Sequence, residues 1–141
     1  MREGAPYNCG MAHLTTLFLV DGDSGAMRGL RMRLALEHDL QVVGEAHRDD
    51  DVAAMAGALA PDVVVVDIDR PGAGETAVAC VRTLAVSHAV VVLSLHDDRA
   101  VASAMRASGA WAFVGKHEGV GRLLAASRSV GRSAERAPPM A

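Results

Sequence analysis

The sequence predicts an α/β fold in which a doubly wound, five-stranded parallel sheet carries helices on both faces. The four consecutive valines at 63–66 indicate a strand that is buried on both sides, as in parallel sheets. Strand-like and helix-like segments alternate five times, and such β–α units are joined by right-handed crossovers. The chain is 50% hydrophobic but only 3% aromatic, and this composition suits compact α/β packing.

Each element follows from a short local pattern. Apolar runs of strand length predict the strands, whereas Met27, Leu30 and Leu34 recur at the spacing of one helix face. Ser24 is a suitable N-cap for that first helix. The predicted strands are 16–21, 41–46, 62–67, 89–94 and 111–114. The predicted helices are 24–37, an alanine-rich segment that ends near 59, 75–84, 99–107 and 119–131.

The chain is expected to form one domain at 15–131, because 141 residues suffice for a single hydrophobic core. The flanking segments lack a regular period. We therefore expect a flexible N-terminal lead-in at 1–14 and a flexible C-terminal tail at 132–141.

Bulk properties narrow the classes of function. A net charge of −3 gives no reason to expect direct binding of nucleic acid. Two cysteines, Cys9 and Cys80, form neither a disulfide framework nor a zinc cluster, which favours reduced thiols in the cytoplasm. We expect no membrane association, since no segment resembles a signal peptide or approaches the roughly 20 apolar residues of a span.

Polar side chains stand where the predicted strands end. Asp21 ends the first strand, Asp67 the third and Ser94 the fourth, and Lys116 follows the fifth. The carboxyl ends of parallel strands meet at one edge of the sheet, where open α/β folds bind their ligands. The sequence therefore predicts a small acidic pocket at this edge.

Several of these segments carry a family resemblance. The matching pieces include Leu19-Val20-Asp21, the strand Val42-Val43-Gly44-Glu45-Ala46, the segment from Pro61 to Asp67, and the segment from Ser108 to Lys116. In this order and at this spacing they resemble the CheY-like receiver domain of bacterial two-component response regulators, closest to the LuxR/NarL-type subfamily. The resemblance covers about residues 15 to 131. It implies the flavodoxin-like receiver fold with strand order 2-1-3-4-5.

The resemblance implies a signalling role rather than an enzyme, with self-catalysed aspartyl phosphorylation and dephosphorylation only. Asp67 would accept a phosphoryl group from a sensor histidine kinase or a phosphotransfer protein. Lys116 would supply positive charge, and the Ser94 hydroxyl would donate to a phosphoryl oxygen. Ser94 and Phe113 match the family's switch positions.

The resemblance also implies a Mg²⁺ site, held by Asp21, Asp67 and the backbone carbonyl of Asp69, with Asp23 as a substitute ligand. The side chains of Asp69 and His96 occupy positions where the family varies its dephosphorylation rate. We expect a contact between these two side chains that depends on pH near the histidine pKa.

Two residues depart from the family pattern. Gly22 stands where the family usually has a second acid, and its presence predicts weak Mg²⁺ binding. Leu95 replaces a small residue beside the phosphoryl position and should narrow access to Asp67. An alternative is therefore an atypical receiver that signals by protein–protein contact without phosphorylation. A flavin or other phospholigand binder is disfavoured, because no Gly-rich loop follows the first strand.

The output partner is left open by the sequence. Either the receiver acts alone, or it belongs to a longer regulator with a helix-turn-helix, as is usual for the subfamily. The family commonly dimerises through the face that corresponds here to residues 99–131. The side chains expected to contribute to such a homodimer are Trp111, Arg122, Arg128 and Arg132.

Overall fold

The computed structural model describes residues 14–21, 26–69, 74–95 and 99–136. The strands are β1 (Thr15–Asp21), β2 (Leu40–His47), β3 (Val63–Asp67), β4 (Ala89–Ser94) and β5 (Ala112–Gly115). The helices are α1 (Ala26–Leu34), α2 (Val52–Leu59), α3 (Gly74–Ala85), α4 (Arg99–Ala107) and α5 (Val120–Arg136). A short 3-10 helix, Lys116–Glu118, connects β5 to α5.

The five strands form one parallel sheet in the order β2-β1-β3-β4-β5, which confirms the predicted fold. The strand order reverses at β1, and β1 and β3 lie side by side with Val20 opposite Val66. In the next pair of strands, Asp67 lies opposite Leu93. The register therefore brings Asp21, Asp67 and Ser94 to the same carboxyl edge.

The sheet is buried by a helical layer on each face. Alternate residues of β3 point to opposite layers, so that Val65 packs with α1 and α5 while Val66 packs with α2, α3 and α4. The four valines at 63–66 are fully buried, as expected for a central parallel strand. Among the described helices, none is long and apolar enough to cross a membrane.

The edge strand β2 contains an irregularity opposite β1. Leu17 pairs with Val42, but Phe18 pairs with Gly44, so Val43 is an extra residue in a β-bulge. A Cβ on Gly44 would approach Cδ1 of Leu59 to 2.6 Å. The glycine therefore allows the end of α2 to pack closely on the edge strand.

The predicted end of the first helix differs from the structure. α1 ends at Leu34 rather than at Glu37, because turns with hydrogen bonds from Leu36 to Arg33 and from Glu37 to Leu34 follow it. The predicted start at Ser24, with its capping role, lies outside the described residues.

The expected flexible tail at 132–141 is wrong over its first part, because α5 extends through Arg136. The glycine at 131 costs only about 1 kcal/mol in a helix, and Ala134, Glu135 and Arg136 are good helix formers. The next strong helix breaker, Pro138, comes after this segment. The lead-in at 1–13 and residues 137–141 lie outside the described residues.

Arg128 of α5 ties the last helix to the turn between α1 and β2. Its Nε donates to Asp39 Oδ2 at 2.7 Å, and one terminal nitrogen donates to Glu37 Oε1 at 2.6 Å. Hydrogen bonds from Arg33 and Arg128 lower the pKa of Glu37, and that from Arg128 lowers the pKa of Asp39. Both acids therefore bind protons less readily in the folded chain.

Arg128→Gln is expected to lower the free energy of unfolding at about pH 7 and to have much less effect at about pH 2. The two acids have ordinary pKa values of 4.5 and 3.8. Since their folded pKa values are lower, their contribution is complete above the ordinary values and is lost as the pH falls through the folded ones.

Urea unfolding at both pH values measures this difference. Arg132→Gln, which alters an exposed arginine of the same helix, is the control and should change neither value appreciably. An equal loss for Arg128→Gln at both pH values would instead assign the contribution of Arg128 to packing of its stem.

Candidate functional site

Asp67 is the centre of the carboxyl edge. It ends β3, and only 1% of the residue is exposed. Its Oδ2 accepts a hydrogen bond from Lys116 Nζ at 2.9 Å, and its Oδ1 accepts one from the backbone N–H of Asp69 at 2.9 Å. A buried carboxylate requires such partners, because an unpaired charge in the interior is very costly. The sequence-predicted pair of Asp67 and Lys116 is thus brought into direct contact.

Lys116 reaches this carboxylate from the 3-10 helix that follows β5. Its position depends on a tight turn, in which the N–H of Gly115 donates to Glu118 Oε1 at 2.8 Å. A Cβ on Gly115 would lie 2.6 Å from the His117 ring, so a larger residue would push this ring aside. The hydrogen bond from Gly115 to Glu118 therefore closes the turn from which Lys116 extends over the edge of the sheet.

Asp69 makes more polar contacts than its predicted role requires. Its Oδ1 accepts from the Ser94 hydroxyl at 3.0 Å, and its Oδ2 accepts from the Leu95 N–H at 2.7 Å. The same Oδ2 lies 2.8 Å from Lys116 Nζ. Asp69 therefore joins β4 to the lysine that also binds Asp67.

The neighbouring acids have opposite pKa shifts. Burial raises the pKa of Asp67 more than hydrogen bonds from Lys116 and the Asp69 N–H lower it. Burial also acts to raise the pKa of Asp69, but hydrogen bonds from Lys116, Leu95 and Ser94 outweigh it and lower that pKa. Burial would lower the pKa of Lys116, yet the two carboxylates raise it. The lysine therefore stays charged beside the two acids.

Asp21 ends β1 one position after Val20, which pairs with Val66 of β3. Its carboxylate and that of Asp67 are hard oxygen donors of the kind that Mg²⁺ prefers. Within the described residues, no group of three or more His, Cys, Asp or Glu side chains is arranged to hold a metal ion. Since Mg²⁺ often uses one or two carboxylates and keeps several waters, the residues present fit a sparse Mg²⁺ site rather than a closed cage.

Other predicted site residues have more varied positions. Phe113 of β5 is buried in the layer that contains α2, α3 and α4. Leu95 has 63% of its surface exposed, and its N–H rather than its side chain contacts the described site. Gly22, Asp23 and His96 lie outside the described residues, so the contact between His96 and Asp69 stays a prediction.

The proposed dimer face contains side chains that already have partners within the chain. Trp111 is 47% exposed, and its indole N–H donates to Ser129 Oγ at 3.0 Å. Arg122 pairs with Glu118 at 3.0 Å, and Arg128 pairs with the turn before β2. The homodimer through residues 99–131 stays a prediction, and its exposed side chains are Trp111, Arg122 and Arg132.

Sequence reasoning missed a buried arginine next to this edge. Arg48 follows β2, and its backbone N–H donates to the backbone carbonyl of Asp21 at 2.9 Å. Only 6% of Arg48 is exposed, and in the described part of the chain its guanidinium nitrogens have no hydrogen-bond partner. Burial raises the pKa of the Cys80 thiol, and the nearby Arg48 charge opposes that rise. An arginine in a loop usually lies at the surface, so no sequence signal indicated its burial.

Comparison with known proteins identifies the family. Residues 17–128 match the model of the response regulator receiver domain, and the chain belongs to this family. The DNA-binding transcriptional activator EvgA of Escherichia coli K12 is 26% identical over 109 residues, which are 77% of this chain and 53% of EvgA. The chain thus spans about half the length of the curated relatives it matches first.

Solved structures agree with this assignment. The receiver domain of the response regulator NarL from Mycobacterium tuberculosis is 25% identical, with a TM-score of 0.67 over 82% of this chain and 98% of that one. A LuxR-family response regulator from Aurantimonas shares the fold with a TM-score of 0.75 at 22% identity, over 85% and 86% of the two chains. The predicted resemblance to LuxR/NarL-type receivers is confirmed.

Arg48→Met is expected to raise the free energy of unfolding by about 1–3 kcal/mol, because it removes a buried charge to which the described residues offer no hydrogen bond. Methionine keeps much of the side-chain length and fills the space. Urea unfolding measures the change, and Arg82→Met on the exposed side of α3 is the control. A loss of stability in Arg48→Met would show instead that the guanidinium is paired in solution.

Proposed function

We propose that Asp67 accepts a phosphoryl group from a sensor histidine kinase or a phosphotransfer protein in two-component signal transduction. The observation that carries this proposal is the buried Asp67 carboxylate, with Lys116 Nζ 2.9 Å away at the carboxyl edge of a receiver fold. Structural ion pairs are common at protein surfaces. A carboxylate that is 1% exposed at a ligand-binding edge instead favours a functional role for this acid.

The transfer needs a nucleophile and positive charge. A carboxylate oxygen of Asp67 would attack phosphorus as the P–N bond to the donor histidine breaks, which forms an acyl phosphate and releases the imidazole. Charge spreads over the phosphoryl oxygens in the transition state, and the Lys116 ammonium, which lies 2.9 Å from Asp67 Oδ2, would stabilise it. Ser94, which is buried next to Asp69, would donate its hydroxyl to the attached group.

Mg²⁺ would be held by the carboxylates of Asp21 and Asp67, together with the Asp69 carbonyl and, as a substitute, Asp23. When bound, the ion would neutralise charge on the phosphoryl oxygens. Phosphorylation would be reported through Ser94 and Phe113, which lie on the neighbouring strands β4 and β5. The atypical receiver, which signals without phosphorylation, is the function that a failed phosphorylation test would favour.

Incubation with Mg²⁺ and acetyl phosphate is expected to add about 80 Da to the intact mass of the wild-type chain. The added mass is that of one phosphoryl group on the activated carboxylate. Asp67→Asn keeps the size of the side chain but removes the nucleophile, and should gain no mass. An absence of any adduct in the wild type at high Mg²⁺ would contradict the proposal.

Lys116→Met is expected to slow formation of the adduct by about 100-fold or more, the usual cost of removing one group that stabilises a developing anion. The methionine retains most of the length of the stem, and urea unfolding verifies that the variant is folded. Arg82→Met, at an exposed position of α3 away from this turn, is the matched control and should react at the wild-type rate. An unchanged rate for Lys116→Met would remove Lys116 from the proposed chemistry.

A further inference from the structure

Three hydrogen-bond donors, two at the end of β4 and one in the 3-10 helix after β5, converge on the carboxylate of Asp69. Ser94 supplies a hydroxyl at 3.0 Å, and Leu95 supplies a backbone N–H at 2.7 Å. Lys116 supplies its ammonium at 2.8 Å. Asp69 itself is largely buried, with 12% of its side chain exposed. The carboxylate therefore occupies a formed anion site rather than a solvated surface.

The same donors suit a phosphoryl group attached to Asp67. A hydroxyl, a backbone N–H and an ammonium are the kinds of donor that bind phosphate oxygens. Lys116 already contacts Asp67 Oδ2 at 2.9 Å, so the anion site adjoins the carboxylate that would carry the group. A carboxylate at Asp69 presents two negatively charged oxygens to donors that would otherwise face phosphoryl oxygens.

We propose that the Asp69 carboxylate is an internal occupant of the phosphoryl-binding subsite, which it holds until phosphorylation of Asp67 displaces it. This inference rests on the proposed function, in that it assigns the subsite to the group transferred to Asp67. Ser94 already directs its hydroxyl into the subsite, where the Asp69 carboxylate accepts its hydrogen bond. The unmodified chain thus holds this hydroxyl where it could donate to an attached anion.

Two consequences follow for phosphorylation. The incoming group must break the contacts of Asp69 before it can use their donors, so the carboxylate slows uptake from a phosphoryl donor. Once the phosphoryl group has displaced the Asp69 carboxylate from the subsite, both anions still lie near Lys116. Repulsion between the phosphoryl group and this carboxylate then destabilises the phosphorylated chain. Asp69 is therefore a positioning residue that acts through Ser94, Leu95 and Lys116.

The test compares the wild-type chain with Asp69→Ala, which empties the subsite, and Asp69→Asn, which keeps an acceptor oxygen without charge. Asp62→Ala is the matched control, because Asp62 also accepts a backbone N–H, from Thr16 at 2.8 Å, but at the opposite edge of the sheet. The first measurement follows the Leu95 amide by ¹H–¹⁵N NMR during titration with inorganic phosphate, without Mg²⁺ or a phosphoryl donor. The spectrum also reports whether each variant is folded.

In Asp69→Ala the resonance of the Leu95 amide proton should shift upfield, because the hydrogen bond to Asp69 is lost. Added phosphate should shift the resonance back, and the variant should bind phosphate at least about tenfold more tightly than the wild type. Asp69→Asn should give an intermediate response, and Asp62→Ala should match the wild type. An unchanged Leu95 resonance in Asp69→Ala, or equal phosphate affinities, would overturn the inference.

The second measurement is the rate at which acetyl phosphate adds a phosphoryl group, with acetate as the leaving group. Asp69→Ala should react about tenfold faster than the wild type, since a charge-assisted contact no longer competes. A slower reaction in Asp69→Ala would overturn the displacement step. Failure of every chain to react, with the NMR result as expected, would refute phosphorylation of Asp67 but support the occupied anion subsite.

Discussion

The pairing of the buried Asp67 carboxylate with Lys116 is the interaction on which the rest of the carboxyl edge depends. β3 has no solvated face, so the acid at its end loses water and needs a nearby cation. That cation comes from beyond β5, two strands away in the sheet. The strand order, the turn at Gly115 and the short 3-10 helix all contribute to the position of one ammonium group.

One ammonium then serves two carboxylates. Lys116 lies within 3 Å of both Asp67 and Asp69, and the two acids respond differently because their surroundings differ. Asp69 has additional donors in Ser94 and Leu95, whereas Asp67 has fewer donors and deeper burial. A phosphoryl group carries about two negative charges but replaces the single charge of the Asp67 carboxylate, so this edge would gain about one negative charge. Asp67, Asp69 and an attached phosphoryl group would therefore compete for the same Lys116 ammonium.

Much of this arrangement could be predicted from residue order alone. The valines of β3 and the acids that follow the strands indicated the sheet and its functional edge, since parallel strands share a direction. The contacts of Asp69 could not be predicted, because one of its partners is a backbone N–H that has no sequence signature. Arg48 was missed for a related reason: an arginine in a loop is usually exposed, and its burial near Cys80 of α3 arises from tertiary packing that its residue type does not indicate. The helix α5 extends beyond the predicted end at Gly131, because the residues that follow are good helix formers as far as Arg136.

The bulge in β2 has a consequence for the behaviour of the protein at high concentration. A parallel sheet has two edge strands, and an exposed flat edge can pair with the edge of another molecule and begin aggregation. Here β5 has only four residues, and the extra residue at Val43 interrupts the regular ladder of the longer edge strand. Neither edge offers a long, flat template. The bulge beside Gly44 therefore discourages association of sheets edge to edge.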